Sequence, residues 1–214
     1  MNPQRLLDRL PASLHPPQLL VRLRAFDFLS PLALRLYLAP VFLATGLNKA
    51  RHFEDTVAWF GNPEWGLGLP APWLNAAMAM TTELVGAVLL VLGLGTRLVS
   101  IPLMFVMIVA AVTVHAENGW FVIADPVSCL FNCDGLADAA LRLERGRAIL
   151  QEHGQYAWLT ARGSFVILNN GVELVVAYFV MLATLLFQGG GRWVSLDYWI
   201  ARRAGWLARA DERA

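Results

Sequence analysis

Charge is what this sequence has least of. Only 15% of its 214 residues are Asp, Glu, Lys or Arg, while 57% are hydrophobic. Soluble domains carry about 25% charged residues. A soluble domain of this length needs a polar coat that the chain can hardly supply. Clustered basic charge is missing too: the 17 Lys and Arg are scattered, the net charge is +1, and no aromatic-basic binding motif appears, which argues against nucleic acid as a partner. The first thirty residues hold four Arg and four Pro and lack a continuous apolar core, so they do not read as a cleavable signal peptide.

Several cofactor signatures are also absent. Of the four histidines, His15, His52, His115 and His153, only His115 falls in an apolar run. Without a pair of histidines at membrane depth, a bis-His haem is not expected. Neither a glycine-rich dinucleotide turn nor a phosphate loop follows a strand; "GLGLP" and "GLGTR" read as turns between apolar runs. No serine nucleophile constellation is present.

What the chain does have is four long apolar runs: Pro31–Asn48, Leu74–Gly93, Leu98–His115 and Phe165–Phe187. Each is about as long as a spanning helix requires, and Pro40 and Pro102 are tolerable kinks in a packed membrane bundle. The expected fold is all-α, a four-helix transmembrane bundle whose long outer loop carries an amphipathic helix. Residues 1–30 are expected as a cytoplasmic N-terminal segment, 31–199 as the transmembrane domain with an external loop at 116–163, and 200–214 as a cytoplasmic tail. Orientation follows from basic residues. Arg5, Arg9, Arg22, Arg24, Arg97, Arg192, Arg202, Arg203, Arg209 and Arg213 fall on one side, against Lys49, Arg51, Arg142, Arg145, Arg147 and Arg162 on the other. Both termini are thereby expected in the cytoplasm of a multi-pass inner-membrane protein.

In the long loop, "DGLADAALRLERGRAILQEHG" offers Asp134 and Asp138 as caps and Leu136, Ala140, Leu143 and Leu150 as one apolar side of a helix. The tryptophans near span ends read as headgroup belts. Cys129 and Cys133 sit in the same loop, in a compartment where disulfides persist if the orientation holds. Their spacing permits a local bridge or idle thiols, and leaves open a soft metal such as Cu(I) bound by the two thiolates.

The polar residues inside the apolar runs carry the functional argument. Glu83 lies nine residues into the second run and Glu173 eight into the fourth, each ~12–14 Å below the outer end of a helix. Asn169 and Asn170, four and three residues before Glu173, would share its helix face. His115 and Lys49 end the third and first runs on the outer side. Arg35 alone sits toward the inner side, close enough to an interface to snorkel. If Glu83, Glu173, His115, Lys49 and the two Asn converge, they form a hydrated, outward-opening pocket. Two carboxyls held close do not both ionise readily, which leaves a proton to exchange. The competing reading is interhelical glue, with Thr81, Thr82 and Gly86 completing a close-packed seam.

The ordered motifs "RLYLAPVFLATGLNK", "TELVGAVLLVLGLGTR", a His followed by "NGW", "NNGVEL" and "GGGRWVSLD" resemble the DoxX family over most of residues 31–199. The resemblance implies a bacterial four-helix inner-membrane protein, related to the membrane subunit of a thiosulfate:quinone oxidoreductase. Positions matching the family's polar pattern are Arg35, Lys49, Glu83, His115 and Glu173. The "NKARHFEDTVAWFGNPEWGLGLP" loop is similar to the HvfX-type subgroup, associated with maturation of copper-binding modified peptides.

Three functions compete. The first is a quinone-linked redox subunit, with Glu83, Glu173 and His115 as catalytic proton carriers and with Arg35, Lys49, Asn169 and Asn170 toward the quinone. A non-catalytic membrane partner in maturation or export of copper peptides is the second, engaging a soluble or membrane enzyme encoded nearby. A small transporter is the third, weakened by the lack of recognisable inverted halves.

Overall fold

A computed structural model describes residues 26–124, 129–133, 136 and 138–206. Asp134, the arginines up to Arg24, and Arg209 and Arg213 lie outside these described residues. The chain is all-α. Its helices are α1 (Leu29–Arg51), α2 (Phe53–Gly61), α3 (Pro72–Leu92), α4 (Thr96–Ala110), α5 (Ala139–His153), α6 (Tyr156–Leu159), α7 (Glu173–Gln188) and α8 (Leu196–Arg203). After α4 the helix widens into a π turn, Ala111–His115, and then tightens into a 3₁₀ turn, Ala116–Asn118.

Three stretches are long and apolar enough to cross a membrane: Leu29–Arg51, Pro72–Leu92 and Thr96–Asn118. Their surfaces are as apolar as their interiors. Leu36, Leu43, Met78, Val85, Val88, Leu98, Phe105 and Ile108 all stand exposed. Water would not tolerate so large an uncovered apolar surface, whereas acyl chains match it.

The fourth apolar run departs from expectation. Its helix, α7, begins only at Glu173 and has 16 residues, ~24 Å of rise. Residues 165–171 are non-helical instead, and Leu168 makes an antiparallel bridge with Ile123. The reason is local. Asn170 adopts φ +61°, a left-handed conformation that interrupts a helix, and the following Gly171 is pressed against the Trp120 and Phe121 carbonyls. Backbone amides of Asn169 and Asn170 both donate to Val122, Gly171 donates to Phe121, and Val172 to Gly119. Asn169 and Asn170 therefore do not share a helix face with Glu173. Glu173 lies in the first turn of its helix, not eight residues along it.

The described chain divides into two compact units. One comprises the described parts of Met1–His52, Ala77–Ile101 and Leu182–Ala214; the other comprises Phe53–Ala76 and Pro102–Met181. In the first unit, Leu38, Phe42, Leu90, Leu182 and Leu185 form the buried core. Gly46 of α1 meets Leu84 of α3 so closely that an added β-carbon would lie 2.9 Å from the leucine side chain. Close approach of this kind is what small residues provide between membrane helices. In the second unit, Phe60, Leu103, Met107 and Val175 are buried. Here α5 confirms the expected loop helix, with Leu143, Gly146, Arg147 and Leu150 as its half-buried side. Gly146 packs on the Phe165 ring, and Arg147 reaches the Phe165 carbonyl at 3.4 Å. Asp138 occupies the N-cap position without a side-chain cap bond and faces Arg142 at 3.8 Å.

Candidate functional site

In the first unit, Lys49 and Glu83 meet. The Lys49 ammonium donates to both carboxylate oxygens, at 2.9 and 2.8 Å. Only 4% of the Glu83 side chain is exposed, and 21% of Lys49. The sequence builds this pair simply. Lys49 stands one turn beyond Gly46 on α1, and Glu83 directly precedes Leu84 on α3, so the close approach at Gly46 brings the two charges together. Removing either partner would strand a buried charge.

Arg35 is placed on the same helix but 14 residues earlier, ~21 Å along it, and belongs to a different structure. It does not snorkel. Its side chain is buried, and its guanidinium donates to the carbonyls of Gly190 at 2.7 Å and Val194 at 3.0 Å. The core of the unit encloses it because the "GGGRWVS" turn supplies carbonyls where water would otherwise be needed. Gly93 approaches so near that any β-carbon there would fall on the guanidinium.

Around Arg35 lies a knot of capping interactions. The Asp197 carboxylate accepts from the backbone amides of Gly95 at 2.7 Å and Thr96 at 2.9 Å, which caps α4. Its own amide donates to Gly93, and its charge is within electrostatic reach of Arg35. Ser195 caps α8 by accepting from the Tyr198 amide and donates its hydroxyl to Gly191. Sequence reasoning passed over Asp197 and Ser195. The available signal was the S-x-D start of a helix, separated by three residues from a glycine run.

In the second unit, His115, Asn170 and Glu173 gather on the two paired turns. A carbonyl can only accept, so His115 Nδ1 donates a proton to the Asn170 oxygen at 2.7 Å. The π turn that carries His115 is a local widening of a kind frequent at functional sites. Glu173 Oε2 accepts from the Val122 amide at 3.2 Å, while the Glu173 amide donates to Trp120. A carboxylate in the first turn of a helix is also favoured by the helix dipole. The Asn169 carboxamide nitrogen is committed, donating to the carbonyls of Asn118 and Phe121.

The sulfurs of Cys129 and Cys133 are joined as a disulfide, so neither is a thiolate here. The Asn132 carboxamide donates to Ala116 at 2.8 Å, tying this small loop to the 3₁₀ turn. Among the described residues no three His, Cys, Asp or Glu cluster in a metal-binding arrangement.

Comparison with known proteins adds the lineage. The sequence model of the DoxX family matches residues 30–116, which contain Arg35, Lys49, Glu83 and His115. A protein of Bacillus subtilis (strain 168) named "Putative oxidoreductase CatD" is 34% identical over 86 residues, 40% of this chain and 60% of that relative. "Inner membrane protein YphA" of Escherichia coli (strain K12) is 33% identical over 110 residues, 49% of this chain and 74% of the relative. The match thus spans under two thirds of the first relative and about three quarters of the second. No solved structure matches.

Proposed function

This chain belongs to the DoxX family of membrane proteins, and from that premise we propose that it is a quinone-linked subunit of an inner-membrane oxidoreductase, in which the Lys49–Glu83 pair handles protons. The observation that carries the reading is the burial of that pair between two apolar helices. A fixed structural charge pair in such a place is costly against an apolar alternative. A buried carboxyl beside a partly exposed ammonium places an acid-base group within an otherwise apolar pair of helices. One bacterial relative carries "oxidoreductase" in its name, which agrees with redox chemistry.

A quinone would supply two carbonyl oxygens that together take up two electrons and two protons. The donor set fits it: Lys49 offers N–H to a carbonyl oxygen, and Glu83 can hold the proton that follows. His115 and Glu173 form a second acid-base set, with Nε2 of His115 uncommitted in the bonds described above. Arg35 and Asn169 are read as structural, since Arg35 Nη1 and Nη2 and the Asn169 carboxamide nitrogen donate to backbone carbonyls, although Arg35 Nε is buried without a partner among the described residues. We take both termini to face the cytoplasm, from the bias of basic residues. A disulfide in the loop at 116–163 agrees with that placement, because such bonds persist outside the reducing cytoplasm.

The test is binding and turnover of a soluble ubiquinone analogue by purified protein in lipid nanodiscs. Glu83→Gln and Lys49→Gln should each lower turnover by roughly 100-fold, the lower range for a general acid-base group. Full turnover in both variants would sink the proposal.

A second reading has an observation of its own. Asn169, His115 and Glu173 all bond to backbone groups of the paired turns, as a purely architectural set would. On that reading the protein is a non-catalytic membrane partner in maturation of copper-binding modified peptides. It is favoured if the same variants leave function intact while changes in α8 abolish it.

A further inference from the structure

Beside the Arg35 knot, within the first unit, lies a cavity of about 910 Å³. Asp27, Arg97, Arg192 and Asp197 are its charged lining, and Leu98 and Ile200 are prominent among its apolar lining. It is an open depression at the surface, and Arg97 and Leu98 on its lining are exposed. The charges can be paired off one by one. Asp197 is held by the amides of Gly95 and Thr96, with Arg35 as its nearby cation. Asp27 faces Arg192 at 3.9 Å. Arg97 remains. Its guanidinium lies over Gly189, where a β-carbon would come within 3.1 Å of Nε, and no carboxylate among the described residues is paired with it.

The position of this spare cation is informative. Arg97 occupies the second residue of α4, and the rest of that helix, from Leu98 to Ala110, has no charged side chain. The guanidinium therefore stands at the boundary between apolar helix and polar turn, the level of lipid headgroups. Below it, Leu98 and Ile101 are exposed, and Ile200 and Trp206 are exposed nearby on the chain's last described residues. The amides at the start of α4 are already taken by Asp197, so the helix terminus adds no anion-binding capacity.

We propose that this cavity holds the phosphodiester of an anionic phospholipid, with the Arg97 guanidinium as its charge partner. One net positive charge matches one phosphodiester, and guanidinium–phosphate bonds are strong and directional. The apolar wall gives an acyl chain a surface to follow, which a free phosphate would not use. Basic pockets at the cytoplasmic ends of membrane helices bind headgroups by this chemistry. The proposal is independent of the quinone reading, since no residue is shared between the two sites.

Native mass spectrometry of the delipidated full chain tests it, titrating dioleoyl phosphatidylglycerol, dioleoyl phosphatidylcholine or inorganic phosphate. Phosphatidylglycerol should bind roughly fivefold or more tightly than phosphatidylcholine, the worth of one interfacial arginine. Arg97→Gln should erase that preference, and Arg97→Lys should keep part of it, with each variant shown folded by an unchanged melting temperature. Equal affinity for the two lipids, or a preference that survives Arg97→Gln, would overturn the site. Inorganic phosphate binding as tightly as the lipid would overturn the lipid as its ligand. Should Arg97→Gln not fold, the milder Leu98→Ser must weaken lipid binding by its loss of apolar wall; an unchanged affinity counts against the proposal.

Discussion

At the scale of single residues, the decisive fact is that each buried charge has its own remedy. Glu83 is matched by an ammonium and Arg35 by two carbonyl oxygens. These remedies differ in how they should fail. Lys49→Met strands the Glu83 carboxylate and should cost about 3–5 kcal/mol of stability, whereas the double replacement Lys49→Met with Glu83→Leu should be close to neutral or better. Thermal unfolding in detergent, followed by tryptophan fluorescence, reads both. A double variant as unstable as the single one would mean that the pair contributes something other than charge compensation. Composition showed at once that ionisable groups were rare. It could not show that Lys49 would select Glu83, because that choice depends on helix rotation and on Gly46, neither of which a linear spacing encodes.

At the scale of elements, the stretch from Phe165 to Glu173 is where linear reading and structure part. Hydropathy joined it to the helix that follows, since Phe165, Val166, Ile167 and Leu168 are as apolar as anything in a span. The chain instead pairs this stretch with residues 119–124 through backbone bonds. Asn170 and Gly171 were the warning, a left-handed-tolerant residue followed by one without a side chain. Two substitutions test that account. Gly171→Ala must push back the Trp120 and Phe121 carbonyls and should destabilise by about 1–3 kcal/mol. Asn170→Gly, by contrast, suits a φ of +61° and should be neutral or slightly stabilising, within about 1 kcal/mol. Far-UV circular dichroism melts separate the outcomes, and equal losses in both would contradict the turn geometry. The helices of the other three runs were legible to within a few residues, the third once its π turn is included, whereas α2, α6 and α8 were not foreseen.

At the scale of the whole molecule, hydrophobicity settled the fold class and the resemblance settled the family, but neither fixes which way the chain faces. Two exposed positions far apart in sequence provide the measurement. On a Cys129→Ser, Cys133→Ser background, Gln155→Cys should react with a membrane-impermeant maleimide in intact spheroplasts, and Arg203→Cys should react only after permeabilisation. The reverse pattern would invert the topology and place the disulfide loop in the cytoplasm, against its chemistry. The Arg35 knot was the least visible feature of all, since its partners lie 155 and 159 residues away.

That separation has a biosynthetic side. Arg35 belongs to α1, and the carbonyls that satisfy it are made 155 and 159 residues later. At 5–20 residues per second, some ten to thirty seconds of translation pass between them. During that interval nascent α1 holds an unanswered guanidinium, so the newborn protein needs a temporary host for it, such as the insertion machinery or a headgroup, before Gly190 and Val194 arrive to take over.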